Sequence, residues 1–178
     1  MREPEMAPRT ERARLAFTVF DETDRLWSAI LSLIDEGIDI GQLCIISNED
    51  QKAALVVSLR GDKFAGRLAQ LVPLVQSMKP CPWLAHSRSV LATSGPVLSR
   101  LNGSDCGIEH GAPLPKAIAT LRESIACIPA LGVTGLIVNS RDPGQQSLAT
   151  RTLLEHSLHW VTTHEFVSVS GREKCSTA

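Results

Sequence analysis

Residues 135–166, GLIVNSRDPGQQSLATRTLLEHSLHWVTTHEF, decide how this chain folds. Gly135–Ser140 reads as a strand, and Asp142-Pro143 opens a helix that runs to about His156. Three residues mark that start. Asp142 can accept from the orphan amides of the first turn, Pro143 loses nothing at the first helical position, and Gln145 stands at the capping-box position. His159–Val167 reads as a second strand. On it Trp160, Thr162, His164 and Phe166 share one face, and Val161, Thr163, Glu165 and Val167 share the other.

A similar strand–helix–strand unit spans Leu15–Ser47. Leu15–Phe20 is apolar and rich in strand formers, and Asp21 offers a helix cap with Glu22 and Asp24 at the positive end of the dipole. Leu26, Ile30, Leu33 and Ile34 follow at helical spacing, widened by Trp27 and Leu31. Gly37 suits the left-handed position after the helix, and Leu43–Ser47 is the returning strand. Two such units predict an α/β (α+β) fold on the ferredoxin-like split βαβ plan. Its four strands form one antiparallel sheet in the order 4-1-3-2, with both helices on one face. The domain is expected over residues 15–167, with loose tails at 1–14 and 168–178. The N-terminal tail is charged and holds prolines, and no apolar region of the kind a secretory leader needs follows it.

Residues 48–133 then form a mostly helical insertion between the halves. Asn48–Gln51 resembles another capping box, but Ala54–Leu59 fits a helix or a buried strand. Phe64, Leu68, Leu71, Val72 and Val75 share one helical face, with a kink expected at Pro73. A short strand is expected around Ser89–Ala92, a loop over Gly103–Pro115, and a helix over Lys116–Cys127 carrying Ile118, Leu121 and Ile125. If the helices cover one sheet face only, the other needs a partner, either the insertion or a second subunit. A homodimer through the sheet is the expectation.

The runs LAFTVFDETDRLWSAILSLIDEGIDIGQLCIIS and GLIVNSRDPGQQSLATRTLLEHSLHWVTTHEF resemble the two halves of the heat-induced stress protein family with a YflT-type domain. That family pairs a strand–Asp–helix–Gly–strand half with a closing half that ends in a His-Glu-aromatic strand, here His164, Glu165 and Phe166. The resemblance implies a small bacterial αβ domain linked with stress responses and supplies no catalytic residues. Relatives carry a Gly-rich, almost membrane-like stretch between the halves. Here that segment is charged and interrupted by prolines, so membrane association is not carried over.

Composition narrows the function classes. A net charge of −1 gives no reason to expect nucleic acid or an anionic membrane as partner. Four Phe, three Trp and no Tyr argue against a base-stacking or carbohydrate platform. The most apolar stretch, 53–75, is broken by Arg60, Asp62, Lys63 and Arg67, short of the roughly 20 apolar residues a membrane helix needs. Five cysteines at 44, 81, 106, 127 and 175, with no C-x-x-C pair, fit reduced thiols in a cytoplasm better than a disulfide or zinc framework.

Each tempting site has a plainer explanation. His164 and Glu165 are neighbours on a strand and face opposite sides, so they do not converge on one substrate. His156 at a helix C-terminus answers the dipole, with His159 just beyond, and Asp21, Glu22 and Asp24 do the same at an N-terminus. Cys81, with His86 or His110 as base, is the best nucleophile pattern, with Cys106 a second thiol, but nearness in sequence is not catalytic geometry. Cys44, inside a strand, reads as a core residue. Gly103–Gly107 with Gly111 could cradle a phosphate only if it led into a helix, and Pro113 and Pro115 intervene. No catalytic, cofactor-binding or metal-binding residue is assigned. The reading is a non-enzymatic, self-associating interaction domain; the alternatives are a sensor with its ligand between sheet and insertion, and a cysteine-dependent enzyme.

Overall fold

The computed structural model describes residues 9–61, 63–64, 66–81, 89–93, 97 and 116–170. Strand β1 (Arg9–Phe20) leads into helix α1 (Thr23–Asp35) and strand β2 (Leu43–Ser47). Helices α2 (Glu49–Arg60) and α3 (Val72–Gln76) and the two-residue strands β3 (Lys79–Pro80) and β4 (Leu91–Ala92) come next. Helices α4 (Lys116–Ala126) and α5 (Ile128–Leu131) precede strand β5 (Thr134–Ser140), helix α6 (Pro143–His156) and strand β6 (Thr162–Ser170).

The strands make one six-stranded antiparallel sheet in the order β3-β4-β2-β5-β1-β6. The two terminal units interleave. Strand β1 lies between β5 and β6, so that Ala16 pairs with Val138 on one side and Thr163 on the other. The architecture is therefore α+β, as the two units led us to expect.

Local chemistry accounts for the element ends. The Asp142 carboxylate accepts from the Gln145 amide at 2.8 Å, and the Gln145 side chain accepts from the Arg141 amide at 2.7 Å, one residue before the expected position. Helix α1 starts without a side-chain cap, so Asp21 does not play the role assigned to it, and Glu22 instead binds Arg25. Its C-terminus closes as a Schellman motif: Ile38 N–H reaches Leu33 O, Gly37 N–H reaches Ile34 O, and Gly37 takes φ +89°. Residues 54–59 are helical in α2, capped by Asn48, whose side chain accepts from Gln51 N–H at 2.8 Å. Pro73 kinks nothing. It sits in the first turn of α3, where its missing N–H has no partner to lose.

Helices lie on both faces of the sheet. On one, Ala16, Phe20, Leu43, Ile45, Leu136 and Val138 pack with Leu26, Ile30 and Leu33 of α1 and Ala149 and Leu153 of α6; α2 and α3 extend this layer through Leu55, Leu59 and Val75. Trp27 is fully buried there, and its indole N–H is satisfied by Ser58 Oγ at 2.9 Å, which ties α2 to α1. On the other face Leu15, Phe17, Val19, Ile46, Ile137 and Phe166 pack with Ile118, Leu121 and Ile125 of α4 and Ile128 of α5. Of the two covers weighed for this face, the segment between the halves and a second subunit, it is the segment between the halves, through residues 118–128, that lies on it.

Strand limits also differ. β1 begins at Arg9 rather than Leu15, and β6 runs from Thr162 to Ser170 rather than from His159 to Val167. Residues 9–14 look like a charged tail in isolation. Pairing with residues 165–170 of β6 makes them a strand, with Arg12 and Arg14 both on Glu165 and Ala13 buried.

Candidate functional site: the open margin at β6

Strand β6 ends the sheet. It pairs with β1 over nine residues, and among the described residues no strand lies beyond it. The connection from α6 into β6 is clasped by hydroxyls. Thr18 Oγ, fully buried on β1, donates to Trp160 O at 2.8 Å and lies 3.0 Å from Ser157 Oγ. Ser157 Oγ in turn bonds Val19 O at 3.0 Å and accepts from His159 N–H. This clasp holds Trp160 edge-on against Phe17, with ring centroids 5.6 Å apart and planes at 63°.

The rest of Trp160 is open to solvent. The residue is 49% exposed, Leu158 is 66% exposed and Leu154, near the end of α6, is 57% exposed. Three large apolar side chains thus lie within seven residues where α6 turns into the unpaired edge. Farther along, the alternation read from the sequence holds. His164 bonds Thr162 Oγ1 at 3.1 Å on the Trp160 side, and Phe166 is buried beneath α4. Partial burial holds the His164 pKa below its ordinary 6.5 by disfavouring the charged ring. Glu165 projects to the opposite face, 3.4 Å from Arg12 and 3.2 Å from Arg14. His164 and Glu165 do not converge.

The nucleophile pattern does not assemble among the described residues. Cys81 is buried at the end of β3, its amide bonded to Val90 O at 3.0 Å, and burial pushes its thiol pKa up to about 12. Cys44 is pushed up to about 12 by the same cause. An activated cysteine needs the opposite shift. His86, His110, Cys106 and the glycines at 103, 107 and 111 lie outside the described residues. His156 bonds Ser32 Oγ at 3.0 Å, joining α6 to α1, and His159 approaches Asp21 at 3.8 Å. Asp24 pairs with Lys63 at 2.7 Å and Glu22 with Arg25 at 3.1 Å, so the acids at the start of α1 serve surface ion pairs.

Among the described residues no group of His, Cys, Asp and Glu is placed to hold a metal ion, and no helix is long and apolar enough to cross a membrane. A shallow groove lined by Glu49, Lys52, Ala53 and Val56 of α2 and by Gln76 lies on the insertion itself, not between insertion and sheet. The exposed trio was visible in the sequence only as apolar residues around the last strand. Comparison with protein-family models, with curated proteins and with solved structures brings no match.

Proposed function

We infer that this chain is a ferredoxin-like interaction domain that associates with a second copy of itself and carries out no chemistry of its own. The strand order supports the plan: β2, β5, β1 and β6, taken as the second, third, first and fourth strands of two split units, stand in the order 2-3-1-4, which is 4-1-3-2 viewed from the other side. One observation carries the functional reading. Leu158 and Trp160 are exposed in the connection that enters β6, and Leu154 is exposed near the end of α6, while the apolar faces of the sheet are covered by the chain's own helices. The association is thus moved from the sheet face, where the sequence placed it, to the β6 margin. The likeness of residues 15–47 and 135–166 to the halves of heat-induced stress proteins supports a setting in stress responses.

Light scattering on the eluting full chain tests this. The expected mass is twice the 19.3 kDa of one chain, falling to that of a single chain in Leu158→Asp, a position too exposed to matter for folding. A wild-type monomer at every concentration, or a Leu158→Asp variant that stays dimeric, would remove the reading.

A further inference from the structure

The two edges of the sheet are built differently. The β3 edge is two residues long, carries Lys79, and ends in Pro80, which has no N–H to offer a neighbouring strand. Short strands, lysines and prolines are the devices by which sheets avoid pairing with other sheets. The β6 edge has none of them. Its sequence TTHEFVSVS is nine residues long, mostly β-branched, aromatic or hydroxylic, without proline or lysine. Its one carboxylate, Glu165, is already held by Arg12 and Arg14 of its own chain.

Resting on the self-association inferred above, we propose that two copies join by pairing β6 with β6 antiparallel, making one continuous twelve-stranded sheet. An antiparallel pair of identical strands is self-complementary under a two-fold axis, so one patch serves both copies. The charge pattern favours a second copy over a different protein. Glu165 is met within its own chain by Arg12 and Arg14, so two copies meet without an uncompensated carboxylate. Nine residues offer about 30 Å of edge, at 3.4 Å each. A lone strand pair buries less than the roughly 1,000 Å² of a stable interface. The exposed side chains of Leu158 and Trp160, just before β6, supply the remainder, because antiparallel pairing lays the far end of the partner strand beside the start of β6.

Hydrogen exchange on the full chain, above and below the concentration at which the dimer forms, reads the geometry directly. Alternate amides of residues 162–170 are expected to be protected only in the dimer, since the others already bond β1. Thr163→Pro and His164→Pro give the second arm. Neighbouring amides point to opposite edges, so one of these variants removes an outward N–H, keeps the fold and is monomeric. Unchanged exchange of β6 in a proven dimer would overturn edge pairing while leaving self-association standing. A folded dimer from both proline variants would do the same. A wild-type chain that never dimerises would overturn both.

Discussion

At the residue scale, Gly135 marks where helix and sheet come closest. A Cβ there would stand 2.6 Å from Ile128 Cδ1 and 3.1 Å from Phe17 Cε2. The isoleucine tip can rotate away, but the ring is backed by the core. Gly135→Ala is therefore expected to cost about 1–3 kcal/mol, as overpacking does, measured by urea unfolding with an unchanged slope. Thiol reactivity separates core from surface. Cys44 and Cys81 are buried and pushed up to about 12, whereas Cys127 is exposed. Brief alkylation of the native protein followed by peptide mapping is expected to mark Cys127 and spare the other two. Rapid labelling of Cys81 would revive the nucleophile reading. His164 gives a pH signature. Its folded pKa lies below the unfolded 6.5, so the unfolded chain binds more protons in between, and stability falls as the pH drops through that window. Above it the residue contributes no slope. His164→Gln should flatten the stability–pH curve just below 6.5 relative to wild type.

At the scale of elements, the turns of the two units are tied together by Gln42. Its side-chain amide donates to Asn139 O at 2.7 Å and to Gln145 Oε1 at 2.8 Å, and its oxygen accepts from Asp39 N–H at 3.1 Å. Gln42→Leu would remove all three bonds from a buried position, at an expected cost of about 1–3 kcal/mol in chemical denaturation. A neutral result would mean the two turns are held together by packing alone. This tie was not legible beforehand, since it links residues distant in the chain. The start of α6 was legible, because Asp142, Pro143 and Gln145 act on their own neighbours. So was the end of α1 at Gly37. Residues 9–14 were misread because their strand exists only by pairing with β6, and β3 was missed because two residues carry no period. The stripe of Ile118, Leu121 and Ile125 could be seen, but not that the facing surface was the bare side of the sheet.

At the scale of the whole molecule, everything proposed about the open margin depends on β6 being outermost. That in turn requires β1 to lie between β5 and β6. The interleaving joins strands far apart in sequence, so the closure of a long loop precedes the formation of the central sheet. It also gives α4 its seat, for the interleaved sheet places Phe17, Ile137 and Phe166 side by side beneath that helix. Interstrand nuclear Overhauser contacts from Ala16 in the labelled full chain test the arrangement most directly. They should reach Val138 on one side and Thr163 on the other. If they instead placed Ala16 beside β2, or left it without β6 as a neighbour, the sheet order would be wrong and the open edge would not exist.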